Sequence, residues 1–124
     1  MRYLLDSHIF LWLDDLQRIP EPVREVLANR KDDLYLSVAS IWELTLKRSI
    51  GKLHFTGPFA AAAGAYQIEI VPVRAEHVEE VDRLPRFHKD PFDHLLLAQA
   101  RVEDLVLVTH DAVLARYGVP VWLV

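Results

Sequence analysis

The sequence of 124 residues contains no cysteine, which excludes disulfide bonds and thiolate metal sites. Glycine is scarce, at four residues, and the two glycine-rich loops that cradle nucleotide phosphates, G-x-G-x-x-G and G-x-x-x-x-G-K-[ST], do not occur. No apolar run is long enough to span a bilayer, and a strand pattern begins directly after Arg2 with no secretory leader before it. We therefore expect a soluble, cytoplasmic protein.

Positive charge is also in short supply. The net charge of −4 argues against a broad electrostatic grip on nucleic acid. The distribution is uneven, however, because no acid occurs between Glu43 and Glu69. The basic residues that could form a local path for RNA are Lys47, Arg48, Lys52, Arg86 and Lys89. A solvated helix face is an equally good interpretation of these residues.

The chain is rich in hydrophobic residues, at 52%, and they occur in short runs that alternate with helical stretches. The runs predict strands at Tyr3–Leu5, Leu34–Leu36, Ile68–Val73, Val106–Thr109 and Val119–Leu123. The stretches predict helices at His8–Leu13, Pro22–Arg30, Val38–Ile50, Phe59–Tyr66, Ala75–Leu84, Pro91–Glu103 and Ala112–Arg116. This alternation predicts one α/β domain over residues 1–124, with a central parallel sheet flanked by helices.

Two of these helices carry a further expectation about burial. The helix Ala75–Leu84 should turn Val78 and Val81 inward, because their spacing places them on one face. The helix Pro91–Glu103 is apolar nearly all round and should be deeply buried.

Acidic residues follow, or lie close behind, the predicted strands. They are Asp6, Glu43, Asp93 and Asp111. The carboxyl ends of parallel strands share one edge of a sheet, so these side chains should gather there. Four carboxylates in one place repel one another unless a cation shares them. The arrangement therefore indicates a site for a divalent metal.

Each acid also has an ordinary interpretation as part of a helix terminus. Asp6, Asp90 and Asp111 could be N-caps. Asp93 could interact with the helix dipole, and Glu43 could complete a capping box Ser40-x-x-Glu43. The capping interpretation is favoured for Asp90 and Asp111 taken singly. It is weakest for Glu43, because a helix that starts at Val38 would leave this residue more than a turn inside.

Other reactive side chains lack the spacing that a site requires. The six histidines contain no H-E-x-x-H pair, and no serine has the flanking glycines of a nucleophile elbow. Ser7 and Thr109 are better interpreted as hydroxyls that orient a neighbouring carboxylate or a metal-bound water. Trp12 and Trp42 are expected in the core or in an interface.

The chain resembles the PIN-domain ribonucleases, and in particular the VapC-type toxins of toxin–antitoxin pairs. The resemblance covers almost the whole chain and depends on several motifs in order. These are Tyr3-Leu-Leu-Asp-Ser-His-Ile-Phe-Leu-Trp, Leu36-Ser-Val-Ala-Ser-Ile-Trp-Glu-Leu, Asp90-Pro-Phe-Asp-His-Leu-Leu-Leu-Ala-Gln-Ala, Leu107-Val-Thr-His-Asp and Tyr117-Gly-Val-Pro-Val-Trp. His94 and His110 depart from it, because such toxins often carry arginine there.

The resemblance implies a PIN-like three-layer fold and an endoribonuclease that uses Mg²⁺, or Mn²⁺, to activate a water for phosphodiester hydrolysis. It implies that Asp6, Glu43, Asp93 and Asp111 form the catalytic site. Asp6 and Asp93 would hold the metal, Glu43 would hold a second metal or orient the water, and Ser7, Thr109 and Asp90 would support them.

The resemblance also implies partners. It predicts a homodimer and a cognate antitoxin whose C-terminal segment covers the acidic edge. Candidate contact surfaces are the apolar early helix, with Ile9, Phe10, Trp12 and Leu13, and the helix around Trp42.

Other classes of function remain open. A DNA nuclease or a phosphatase could use the same carboxylates, and a non-catalytic interaction module could use them only as caps. A phospho-acceptor receiver domain is disfavoured, because it needs a lysine near the last strand and none follows Lys89.

Overall fold

Five parallel strands form the centre of the domain. A computed structural model describes residues 1–29 and 32–124. The strands are β1 (Arg2–Leu5), β2 (Asp33–Ser37), β3 (Glu69–Val71), β4 (Val106–Thr109) and β5 (Val121–Leu123), in the order β3-β2-β1-β4-β5. The predicted α/β class is confirmed, with β1 central and hydrogen-bonded to β2 on one side and to β4 on the other.

Helices cover both faces of the sheet. They are α1 (Ser7–Leu11), α2 (Glu21–Asn29), α3 (Val38–Ser49), α4 (Phe59–Ala65), α5 (Ala75–Glu80) and α6 (Pro91–Glu103). Shorter 3₁₀ turns lie at Trp12–Asp14, Leu16–Arg18, Val81–Arg83 and Ala112–Tyr117. None of the helices in the described ranges has the length and apolar character needed to cross a membrane.

Alternation along β1 divides the core into two layers. Leu4 packs with α6 residues such as Leu97, whereas Leu5 packs on the other face with Ile9 of α1 and Phe59 of α4. Successive side chains of a strand point to opposite faces, so a short strand with two consecutive leucines supplies both layers. The predicted deep burial of α6 is confirmed, because Leu96 through Ala100 are almost inaccessible to solvent.

Most predicted elements are present, but several ends differ. The third strand stops at Val71, because Pro72 has no backbone N–H to continue the ladder. The last strand begins at Val121 and not at Val119. The early helix leaves α-geometry after Leu11 and continues as a 3₁₀ turn. The predicted end of the second helix, Arg30, lies outside the described residues.

Two expectations about helix faces are wrong in part. Val81 packs against the core as expected, but Val78 is 54% exposed, and His77 is the fully buried residue of α5. In the early helix Ile9, Phe10 and Leu13 are buried under the sheet and offer no docking surface. Their apolar character serves the core of this chain.

Candidate metal centre at the carboxyl edge of the sheet

The acids meet where the strand order changes direction. From β1 the chain proceeds to β2 on one side and later to β4 on the other, and the crevice at such a switch point is where α/β proteins bind ligands. A cavity of about 420 Å³ lies at this edge. Its walls are formed by Asp6, His8, Trp12, Glu43, Lys47, Asp90, Asp93, His110, Asp111 and Ala112. All four predicted acids are among them.

Asp6 follows β1 directly and is buried. Its Oδ1 accepts a 3.2 Å hydrogen bond from the backbone N–H of His8, so the residue is also the N-cap of α1. Its Oδ2 accepts a 2.6 Å hydrogen bond from the hydroxyl of Thr109 at the end of β4. The capping and cavity interpretations of Asp6 are therefore compatible, because the two oxygens have different partners.

Glu43 lies in the middle of α3 and reaches the same cavity. Ser37 caps this helix by accepting from the backbone N–H of Ala39 at 2.9 Å, so the alternative capping box that begins at Ser40 is wrong. Oε1 of Glu43 accepts a 2.7 Å hydrogen bond from Ser7. Oε2 lies 3.4 Å from Nζ of Lys47, one helical turn away.

Asp90 and Asp93 divide two roles at the start of α6. Asp90 is the N-cap, because its Oδ1 accepts from the backbone N–H groups of Phe92 and Asp93 at 2.9 and 3.2 Å. Asp93 is left free of capping and its Oδ2 lies 3.0 Å from Nε2 of His88. Burial raises the pKa of Asp93 to about 7, which the hydrogen bond from His88 opposes and the Asp90 and Asp6 carboxylates reinforce.

Asp111 occupies the outer rim of the cavity and is exposed. Its Oδ1 accepts a 3.1 Å hydrogen bond from the backbone N–H of Val113, which makes it the N-cap of the 3₁₀ turn. Its own N–H donates to Thr109 at 3.1 Å. Thr109 thus connects Asp6 and Asp111, the first and last of the four acids.

The chemistry of the donors fits a hard divalent cation. The acids at the cavity offer carboxylate oxygens, which Mg²⁺ and Mn²⁺ prefer, and the chain has no thiol that would favour a softer metal. One lysine at the cavity does not balance five carboxylates. Among the described residues, no three of these acids bring ligand atoms within 4.8 Å of one another. An ion that keeps several of its waters needs only one or two carboxylates in direct contact.

A tighter group of potential ligands lies elsewhere and is explained by packing. Within the described part of the chain, Glu76, His77 and Glu103 are the only three such side chains whose ligand atoms lie within 4.8 Å of one another. Nδ1 of His77 accepts a 2.9 Å hydrogen bond from the backbone N–H of Arg74, so the hydrogen of the neutral ring is on Nε2. Nε2 donates it to Glu103 at 2.8 Å, and neither nitrogen is left for a metal.

The predicted basic path separates into different environments. Lys47 borders the cavity, whereas Lys52 and Lys89 are exposed away from its walls and Arg86 borders a second groove beside Trp42. Arg48 is engaged in packing, since its Nη1 donates to the carbonyl oxygens of Phe55 and Gly57. Its guanidinium also lies 4.3 Å from the ring centroid of Phe59.

Two further features of the site were not expected from the sequence. Trp12 and His110 pack edge to face at the rim, with ring centroids 5.2 Å apart, so Trp12 belongs to the cavity wall. Tyr117 contacts His94 and also His88, the partner of Asp93. His94 is buried there, which lowers its pKa, and it borders the second groove and not the cavity.

Comparison with known proteins gives the family. The PIN domain model matches residues 3–120. The chain is similar in fold to a VapBC2 complex from Rickettsia felis bound to promoter DNA, at 16% identity, a TM-score of 0.76 and coverage of 100% of this chain and 99% of that chain. A DNA-bound VapBC from Salmonella typhimurium gives 18% identity and a TM-score of 0.68, with 98% and 97% covered.

A toxin–antitoxin complex from Klebsiella pneumoniae gives 16% identity, a TM-score of 0.63 and coverage of 98% and 99%. No curated protein sequence matches the chain significantly. The family match spans nearly the whole chain, from the second residue of β1 to the residue before β5, and includes all the cavity acids. The chain belongs to the PIN domain family.

Proposed function

We propose that this protein is a VapC-type toxin that cleaves RNA with a divalent metal, Mg²⁺ or Mn²⁺. The observation that carries the proposal is the meeting of Asp6, Glu43, Asp93 and Asp111 around one open cavity, from four separate parts of the chain. Helix capping alone does not account for it. Glu43 lies mid-helix, and Asp93 leaves capping to Asp90.

The chain's own residues would prepare the cavity for the reaction. Asp6 and Asp93 would hold the metal, Thr109 aligns Asp6, and Ser7 aligns Glu43 so that its carboxylate can orient a water. A bound divalent ion would supply positive charge to the scissile phosphate and lower the pKa of a water. Asp111, at the exposed rim, would complete the acidic set next to incoming substrate.

Single-stranded or looped RNA is the substrate that the cavity wall favours. Lys47 supplies a positive charge at the wall, and Trp12 and His110 present aromatic surface at the rim. Unpaired bases can stack on such rings and expose the backbone to the acids. Lys52, Arg86 and Lys89 would extend the path, whereas the contacts of Arg48 support a packing role.

A protein antitoxin is the proposed regulatory partner. Similarity in fold to the toxin–antitoxin complexes from Rickettsia felis, Salmonella typhimurium and Klebsiella pneumoniae supports it. An acidic cavity with an open mouth suits occlusion by a segment that carries a basic side chain, because such a side chain would neutralise the carboxylates as a metal does.

A homodimer through α3 is the proposed assembly. Val38, Trp42 and Leu46 of α3 and its C-cap residue Ile50 recur every four residues, so they form one stripe. They are 40%, 56%, 43% and 66% exposed, respectively. A groove of about 610 Å³ beside Trp42, lined by Val78, Val81, Phe92 and Leu95 among others, extends this apolar surface. Glu79, Asp82 and Arg86 form the charged border of this groove.

A cleavage assay separates the proposed activity from its alternatives. A mixed-sequence RNA and a DNA of the same sequence are incubated with the protein in Mg²⁺, in Mn²⁺ and in EDTA, and a chromogenic phosphate monoester is tested in parallel. RNA cleavage that EDTA stops and that Asp6→Asn abolishes is expected. Cleavage of DNA alone would favour a DNA nuclease, and release of phosphate from the monoester would favour a phosphatase. The absence of all three reactions would favour an interaction module.

A further inference from the structure

His88 and Asp93 form a close pair at the wall of the candidate metal centre. Nε2 of His88 lies 3.0 Å from Oδ2 of Asp93, and both side chains are less than one-fifth exposed. Among the described residues, the hydrogen bonds to the Asp93 carboxylate involve Oδ2 alone. The loop that carries His88 has no regular secondary structure. Side-chain contacts are therefore needed to hold the His88 ring in place.

Tyr117 holds this loop by its hydroxyl. The oxygen accepts hydrogen bonds from the backbone N–H groups of Phe87 and His88, at 3.0 and 3.1 Å. The same oxygen lies 2.6 Å from Nδ1 of His88 and 3.3 Å from Nε2 of His94. Tyr117 is 2% exposed, so water does not compete for these contacts.

The hydrogen count fixes the tautomer of His88. A tyrosine hydroxyl has two acceptor positions and one hydrogen to donate, and the two backbone N–H groups occupy the acceptor positions. The remaining hydrogen goes to the nearer ring, at Nδ1 of His88. A neutral His88 then carries its own hydrogen on Nε2, which faces Asp93.

We propose that His88 and Tyr117 are positioning residues for Asp93. Tyr117 sets the tautomer of His88, and the Nε2–H of His88 holds Oδ2 of Asp93 while Oδ1 remains available to a metal. The proposal rests on the proposed function, because it takes Asp93 to be a metal ligand. Residues that orient a ligand in this way typically contribute about 10- to 100-fold to metal affinity.

Metal affinity in matched variants tests this role. Mn²⁺ binding is measured by calorimetry for the wild type, His88→Leu, His88→Gln, Tyr117→Phe and the exposed control His54→Leu. A glutamine amide can still donate to Asp93, so His88→Gln is expected to stay near the wild type. His88→Leu and Tyr117→Phe should each lose about 10- to 100-fold, and His54→Leu should lose nothing. Thermal unfolding confirms that each variant is folded.

Nitrogen NMR of the metal-free protein with labelled histidines reports the tautomer of His88. A purely structural role of Tyr117 would leave this tautomer unchanged. The wild type should show His88 with its hydrogen on Nε2, and Tyr117→Phe should lose this single tautomer. A wild-type hydrogen on Nδ1, or equal Mn²⁺ affinity in His88→Leu and the wild type, would overturn the positioning role and leave the metal site intact. A wild type that binds no Mn²⁺ would overturn the proposed function as well.

Discussion

The hydroxyl of Ser7 donates a 2.7 Å hydrogen bond to Oε1 of Glu43 and joins the first residue of α1 to the middle of α3. Asp6, the preceding residue, borders the cavity itself. Of the two consecutive residues after β1, Asp6 is therefore itself a cavity acid, and Ser7 orients a second cavity acid, Glu43.

Ser7→Ala should lower RNA cleavage about 10- to 100-fold, because Glu43 loses the donor that orients it. The free energy of unfolding should fall by only about 1 kcal/mol, the usual net value of such a hydrogen bond. Ser49→Ala, on an exposed serine of α3, is the matched control and should keep full activity. Turnover by Ser7→Ala at the wild-type rate would show that Glu43 needs no orientation.

Millimolar Mg²⁺ should raise the melting temperature of the wild type, because an ion that binds only the native state stabilises it. Asp6→Asn and Asp93→Asn keep the side-chain shape and remove the charge, so both should abolish the shift. Glu76→Gln alters the second cluster and should keep it, since His77 has no nitrogen free for a metal. The reverse pattern would place the metal at Glu76, His77 and Glu103.

The stability of the metal-free protein should fall as pH rises towards 7. The native fold raises the pKa of Asp93 from 3.8 to about 7, so the native state binds more protons than the unfolded chain between these values. Each unit of this shift corresponds to about 1.4 kcal/mol. Thermal melts in EDTA should show the loss in the wild type and a weaker pH dependence in Asp93→Asn.

Asp82→Asn, an exposed substitution, should follow the wild-type pH dependence in the same melts. Metal affinity should change in the opposite direction and rise with pH through the same range, because only the ionised carboxylate binds an ion. A native protein that is equally stable throughout the range would contradict the raised pKa of Asp93.

Lys47 and Arg48 are adjacent, yet their substitution should affect different properties. Arg48→Ala removes hydrogen bonds to Phe55 and Gly57 and the packing on Phe59, so it should lower the free energy of unfolding by roughly 1–3 kcal/mol. Lys47→Ala should instead raise the KM for RNA and leave the melting temperature nearly unchanged. Equal effects of the two substitutions on the KM for RNA would indicate that Arg48 also contacts the RNA.

Trp42→Asp should convert the proposed dimer into a monomer, because it places a charge in the centre of the apolar stripe of α3. Light scattering coupled to size-exclusion chromatography measures the mass directly. Ala60→Asp introduces the same charge at an exposed position of α4, so it is the control and should keep the wild-type mass. A wild type that elutes as a monomer at all concentrations would contradict assembly through α3.

The strands and the convergence of the acids could be predicted because both depend on short-range patterns. Apolar runs such as Leu105–Val108 end at a polar residue, and parallel strands must end at a common edge. The burial of α6 follows from its composition for the same reason. These features can be predicted without knowing which helices are in contact in the folded protein.

The orientation of α5 could not be predicted in this way. His77 and Val78 both lie at helical spacing from Val81, and hydrophobicity favours Val78. The structure buries His77 because Glu103 and the backbone N–H of Arg74 satisfy both of its ring nitrogens. Glu103 is 26 residues away in the sequence, so local propensity contains no information about it.

The contact of His88 with Asp93 could not be predicted from the sequence for a related reason. His88 lies in a loop, and its partner Tyr117 follows α6 and β4 in the chain. From the sequence, the aromatic ring of Tyr117 indicates only a core residue. The contact of its hydroxyl with two backbone N–H groups depends on the tertiary fold.

The central position of β1 has a consequence for synthesis of the chain. Asp6 is synthesised 103 residues before its partner Thr109, and the acid Asp111 follows Thr109. A nascent chain or a truncated product that stops before β4 lacks both. The complete acidic site can therefore form only after β4 and Asp111 have been made, although its first member, Asp6, is already present directly after β1.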